Sequence, residues 1–376
     1  MAIFINKYNP NGLKIVVMQN LRKKFPVLNQ CIYANTAATG LLYEDLMEWR
    51  QEHDLDYLIG GSDMKMKSFD VMLGVKETVG KFFHCKQENI ALVPSFTLGL
   101  NMVLDGLQGE KNVLLLREDY PSLNWPFETR DFKVEYIDIN ERLEDRIYEK
   151  VKTGTIDVLA LSLIQWVNGI KIDLNFLKKL KKEFQDLLIL ADGTQFCGTQ
   201  EFDFQDSGID ILVTSTYKWL LSGYGNGFVL VKDEAKPHFN FKSIGYGSAD
   251  WDVDKKTDIS FCKHLEPGHL DSLNFGSLQF SLNFLANIGM EHITAQLEKL
   301  SAKAKIGFRS LGLLEERVVN RNQHSTIFNI KGDRELFEKL EQGNVICALR
   351  GNGIRLSFHF YNTENEIDAI MDMLKP

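Results

Sequence analysis

Residues 187–195, LLILADGTQ, and 210–231, DILVTSTYKWLLSGYGNGFVLV, decide how the rest of the chain is read. Each contains a continuous apolar run, the mark of a strand buried on both faces, and each run stops abruptly on polar residues. The first stops at Asp192. The second stops at Ser215 and Thr216, and Lys218 follows between Tyr217 and Trp219. Taking an ammonium out of water is costly unless it is paired or loses its proton. Lys218 is therefore either a snorkelling or ion-paired lysine, or an amine with a chemical task.

Working outward, the runs NIALVPS, NVLLLRE, FKVEYIDI, DVLALSLI and GFVLVK repeat this pattern between residues 89 and 232. Helix-like segments such as TLGLNMVLDGL and DLNFLKKLKKEFQ stand between some of them. Buried strands interleaved with helices predict an α/β domain, its mostly parallel sheet covered by helices on both faces. We take residues 30–240 as this large domain. Residues 241–376, together with 1–29, read as a smaller α+β domain. It should hold a helix over about 276–300, strands in HSTIFNI, VICALR and GIRLSFHF, and a last helix. Thr363 and Glu366 have capping-box spacing at the start of that helix.

Ligands of such sheets bind beyond the carboxyl ends of the strands. The positions to inspect are Ser95–Gly99, Glu118–Tyr120, Gln165–Gly169, Asp192–Gln195 and Ser215–Lys218. With one strand between them, Asp192 and Lys218 fall on the same sheet edge, where a carboxylate and an amine can face one molecule. Ser95 and Thr97 open a helix whose free N–H groups suit an anion such as phosphate, although a Ser/Thr N-cap has the same sequence. Tyr120 offers a flat face or fills core.

The 376 residues carry 43 basic and 51 acidic side chains, a formal charge of −8, with no basic run to track a nucleic-acid backbone. No apolar run approaches the ~18 residues of a membrane span, and the start, MAIFINKYNP, lacks the pattern of a signal peptide. The expectation is a cytoplasmic protein with neither nucleic acid nor membrane as partner. Cys31, Cys85, Cys197, Cys262 and Cys347 are scattered without a C-x-x-C pair, and His264 and His269 lack helical ligand spacing. Neither a disulfide framework nor a metal site is expected.

The order and spacing of ADGTQ, STYKWL, GYGNGFVLV and GIRLSFHFYNTENEIDAI resemble the class V aminotransferase family, pyridoxal-phosphate enzymes of fold type I that include kynureninases, cysteine desulfurases and transaminases. The resemblance covers residue 30 to the C-terminus. It implies that Lys218 holds pyridoxal 5′-phosphate as a Schiff base, and that Asp192 pairs with the pyridine nitrogen. It further implies that Gln195, with Gln165 or Asn168, lies near the phenolic oxygen, and that Tyr120 stacks on the ring. Thr97, Ser215 and Tyr217 would hold the phosphate. Where the family carries E-x-G-T, this chain has Glu266-Pro-Gly-His269, so His269 replaces a threonine that reaches the phosphate across a dimer interface. Arg355 matches the arginine that holds the substrate α-carboxylate, and a homodimer is implied.

Within the family, desulfurases need a cysteine on a loop after an R-x-G-x-x-C pattern. VICALRGNGIR joins Arg350 to Arg355 without that loop, and Cys347 lies inside an apolar run, where a buried, unactivated thiol is expected. The aspartate of kynureninases is absent after Tyr120-Pro-Ser-Leu-Asn124. An aminotransferase acting on an amino acid is the expectation. A lyase of the kynureninase or desulfurase kind is the alternative, and an inactive cofactor-binding protein the distant one. Side-chain selectivity would come from YANTAATG, the surroundings of Tyr57 and the His269 loop.

Overall fold

The computed structural model describes residues 20–375; the stretch read for a targeting signal lies almost wholly outside them. Seven strands form the central sheet: β2 (Ile90–Val93), β3 (Asn112–Arg117), β4 (Lys133–Asp138), β5 (Val158–Ser162), β6 (Leu188–Asp192), β7 (Ile211–Ser215) and β8 (Gly227–Val231), numbered after a short β1 (Ile32–Tyr33). Their order is β2-β8-β7-β6-β5-β3-β4. Only β8 runs against its neighbours, β7 and β2.

The apolar runs alternate faces. Val113, Val158, Leu190 and Val213 pack with Phe96, Leu100 and Val103 of helix α1 (Phe96–Gly106). Leu114, Leu159, Ile189 and Leu212 join the core on the opposite face, with Leu177 of helix α2 (Leu174–Glu183) and Leu278 of helix α3 (Ser272–Ile288). Such two-sided burial is why these strands lack polar alternation. The exception is β4, an edge strand whose residues are partly or fully exposed.

Connections from β3 to β4 run one way and those from β5 to β7 the other, so the switch of direction falls between β3 and β5. Open α/β sheets carry their ligands there. The C-terminal part contributes a three-stranded sheet of β9 (Ile327–Lys331), β11 (Ala348–Arg350) and β12 (Gly353–Ser357), in the order β11-β12-β9. Strand β10 (Val345–Ile346) pairs instead with β1, and Arg22 meets Glu366 at 3.0 Å, so the described N-terminal residues pack on the C-terminal part.

The single helix expected over 276–300 is two, Ser272–Ile288 and Met290–Ser310, because Gly289 takes a φ of +91° that breaks the first. VICALR is likewise two short strands. The capping box forms: Glu366 N–H donates to Thr363 Oγ1 at 3.3 Å, and Thr363 N–H to the Glu366 carboxylate at 2.7 Å. Among the described residues, no helix is long and apolar enough to cross a membrane, and no group of three metal-ligating side chains converges.

Candidate active site

Lys218 follows β7 in a loop tied by its own side chains. Thr216 Oγ1 donates to the Asn226 carbonyl at 3.0 Å, Ser222 Oγ to Asn226 Oδ1 at 2.7 Å, and Asn226 Nδ2 to the Asn274 carbonyl at 2.9 Å. The bend costs Leu221 a φ of +56°. From the other side, Gly40 N–H donates to the Tyr217 carbonyl at 2.9 Å, and a Cβ on Gly40 would sit 2.0 Å from the Lys218 carbonyl. Only glycine lets the two segments approach this closely.

The ammonium so held is 6% exposed, with Nζ 5.7 Å from the Tyr120 ring centre and 5.5 Å from that of Tyr217. Burial pulls its pKa from 10.5 down to about 8; Asp192 opposes the shift, while Arg355 and Arg350 reinforce it. Asp192, at the end of β6, accepts Thr194 N–H at 2.7 Å, and burial lifts its carboxyl to about 6 against that bond and the Lys218 charge. Arg355 on β12 is 3% exposed. Its Nη1 donates to the Trp166 carbonyl at 2.7 Å, while its Nε is buried without a partner among the described residues. Burial, aided by the like charge of Arg350, lowers its pKa to about 10.

Asp119 was not singled out by the sequence, although it lies within a strand-end stretch that was. It accepts Tyr120 N–H at 2.7 Å, Ser162 N–H at 2.9 Å and Gln165 Nε2 at 3.3 Å, bridging the ends of β3 and β5 at the direction switch. Burial raises its pKa. Gln165 Oε1 is left buried and unpartnered among the described residues, whereas Asn168 Oδ1 closes its own turn onto Ile170 N–H at 3.1 Å. Gln195 clamps the scaffold: Nε2 donates to the Ala37 carbonyl at 3.0 Å, and Oε1 accepts Trp219 Nε1–H at 2.7 Å.

At the start of α1, Ser95 is the N-cap, its Oγ accepting Leu98 N–H at 3.3 Å, and Ser215 Oγ accepts Phe96 N–H at 2.8 Å. Thr97 lies exposed in the first turn, where helix N–H groups lack intrahelical acceptors. The Tyr217 ring stacks on Tyr224 at 4.4 Å. His269 has other company: its ring lies 4.1 Å from Trp251, and it lines a groove of about 610 Å³ with His53, Asp54 and Tyr57. The fold thus joins Tyr57 to the His269 loop, as the sequence grouped them, but gives His269 contacts apart from the Lys218 cluster. Cys85, Cys262 and Cys347 are buried and pushed up to about 12; Cys197 is buried and pushed higher still.

A lysine and an aspartate at the same carboxyl edge of a mixed seven-stranded sheet suit a pyridoxal-phosphate protein of fold type I. More narrowly, the chain belongs to the class-V aminotransferases, whose profile matches residues 32–370. It is 22% identical to the uncharacterized aminotransferase YcbU of Bacillus subtilis, over 94% of this chain and 96% of that one. It is 23% identical to a protein named "Probable cysteine desulfurase" in Pyrococcus abyssi, over 96% and 97%. A solved variant of C-DES with glycine covalently linked to its PLP cofactor superposes with a TM-score of 0.83 at 16% identity, covering 94% of this chain and 98% of that one.

The residues present fit the cofactor that homologues of this class bind. The Arg355 Nε and Gln165 Oε1 are orphaned polar atoms, and Lys218 Nζ lies over the Tyr120 and Tyr217 rings. The donor set is also complementary: an amine, a carboxylate, an aromatic face and an exposed helix start.

Proposed function

We propose that this protein is a pyridoxal-phosphate-dependent aminotransferase acting on an amino acid, and that Lys218 holds the cofactor. The observation that carries the reading is the buried Lys218 amine, whose pKa is drawn down to about 8 between two tyrosine rings and beside Asp192. When bound, pyridoxal phosphate supplies an electron-accepting ring conjugated to the substrate's α-carbon.

The chain's own residues have these roles. Asp192 would hold a proton on the pyridine nitrogen, Tyr120 would cover the ring, and Gln165, whose Nε2 already donates to Asp119, would lie beside the phenolic oxygen. Thr97, Ser215 and Tyr217 would receive its phosphate at the start of α1. Arg355 grips the substrate carboxylate with its guanidinium fork. Lys218, as a neutral amine, would take up and hold the proton at the substrate's α-carbon.

The burial of the cysteines weighs against desulfuration through a protein thiol, the activity named for relatives such as that of Pyrococcus abyssi. A nucleophilic cysteine needs thiolate character, and burial raises the pKa of all five. A homodimer is part of the proposal, supported by Leu55, Leu58 and Ile59, which lie exposed on one face of a helix. In that assembly, His269 would serve the neighbouring site.

The test is to load the purified protein with pyridoxal phosphate and record absorbance as each amino acid of a panel is added. Conversion to the amine form of the cofactor, reversed by a keto acid, is the expected result. Accumulation of pyruvate and sulfide or ammonia with the cofactor spectrum unchanged would make the protein a lyase. Loading that survives Lys218→Ala without spectral change would remove the basis of the reading.

A further inference from the structure

Two arginines, Arg355 and Arg350, act on the Lys218 amine. Strands β11 and β12 pair antiparallel, with Ala348 opposite Arg355 and Arg350 opposite Gly353. Opposed residues share a sheet face, as do residues two apart on one strand. Arg350 and Arg355 therefore project from the same face as diagonal neighbours, and Gly353 puts no side chain between them.

The turn that carries Arg350 also rests on the segment that positions Arg355. A Cβ on Gly351 would meet Val167 Cγ1 at 3.3 Å, and the preceding carbonyl, that of Trp166, accepts Arg355 Nη1 at 2.7 Å. The charge of Arg350 is felt by both Lys218 and Arg355, lowering the pKa of each.

Neither arginine has a carboxylate partner among the described residues. Arg350 Nη1 donates to the adjacent Leu349 carbonyl at 3.0 Å, and Arg355 Nε donates to nothing. Elsewhere Arg22, Arg117, Arg130, Arg317, Arg321 and Arg334 each meet a carboxylate, while Arg50 donates instead to Asn274 and Ser277. The nearby acids are already engaged: Asp192 by Thr194 N–H, and Asp119 by Tyr120 and Ser162 N–H.

Resting on the reading of Lys218 and Arg355 above, we infer that the amino-acid substrate is dicarboxylic, Arg355 taking its α-carboxylate and Arg350 its side-chain carboxylate. A guanidinium fork matches a carboxylate in two parallel hydrogen bonds, so a second unanswered arginine on the same face selects a second carboxylate. Amides and apolar amino acids of the same length leave Arg350 unpaired and bind less well.

The experiment measures recognition apart from turnover. Protein loaded with pyridoxal phosphate is titrated calorimetrically with succinate and glutarate, and with acetate and propionate as single-carboxylate controls; none has an amine to react. One of the diacids should bind about tenfold more tightly than the controls, the size of one charge-assisted contact at an exposed arginine such as Arg350. Arg350→Gln should abolish that preference and Arg350→Lys retain part of it. Aspartate or glutamate should then convert the cofactor faster than asparagine or glutamine.

Equal affinity for diacids and controls in the unmodified protein overturns the inference and leaves the aminotransferase reading standing. An equal loss for both classes in Arg350→Gln also overturns it, because Arg350 would then only shape the hairpin. A protein that never acquires the cofactor's visible absorbance fails at Lys218 instead.

Discussion

At Lys218, desolvation and the charges of Arg355 and Arg350 favour the neutral amine, while Asp192 favours the ammonium, and the balance rests near pH 8 rather than 10.5. Below that value the amine is protonated and cannot attack a carbonyl. The rate at which cofactor-free protein acquires pyridoxal phosphate should therefore rise with pH through about 8 and level off above it; stopped-flow absorbance checks this. A midpoint near 10 would mean that the lysine is solvated. Asp119 offers a second test, because its two oxygens receive N–H groups from the ends of different strands. Asp119→Asn turns one acceptor into a donor facing an N–H, which should cost about 1–3 kcal/mol in urea unfolding and weaken cofactor binding.

Among the elements, the Lys218 loop depends on contacts with segments remote in sequence. Gly40 lies flat against the Tyr217 and Lys218 carbonyls, so Gly40→Ala must push the two segments apart. Overpacking of this kind costs about 1–3 kcal/mol. The unfolding free energy from urea titration should fall by that amount, and the cofactor should dissociate faster even where the fold survives. The loop's sequence announced a lysine at a strand end and glycines after it. It did not announce the Thr216, Ser222 and Asn226 bonds or the seat of Gly40, which join residues whose chemistry is ordinary until they meet. Gln195 was read from its position after Asp192, yet its amide is spent on Ala37 and Trp219. Motif spacing places a residue but leaves its hydrogen-bond partners open.

For the whole molecule, His359 fastens the C-terminal part to the Lys218 loop. Its Nε2–H donates to the Trp219 carbonyl at 3.0 Å, and its Nδ1 accepts Phe360 N–H at 2.9 Å, which makes it a neutral imidazole. Burial lowers its pKa from 6.5 to about 3. The unfolded chain takes up this proton below 6.5 and the folded chain only near 3, so His359 makes stability fall as pH drops through that window. Buried Asp119 and Asp210, raised by desolvation, act in the opposite sense. The test is the difference between variants: His359→Gln should lose stability at neutral pH but show a shallower decline between about pH 6.5 and 4.5 than the unmodified protein. Quaternary structure is tested separately. Sedimentation should give a dimer, and Leu58→Asp with Ile59→Asp should yield monomers, since these side chains are 79% and 78% exposed in the single chain.

The sequence by itself determined the α/β class with a mostly parallel sheet, because most of its strands are buried on both faces and must be written as unbroken apolar runs, and it marked Lys218 and Asp192, because each follows such a run. It located Arg355 through the motif around it. Only the tertiary structure decided that Gly289 divides one amphipathic stretch into two helices, that Asp119 joins β3 to β5, and that Arg350 shares a face with Arg355. Each of these depends on a backbone angle, a strand register or a long-range approach. Such quantities arise when separate segments pack, and no local pattern of residue types encodes them.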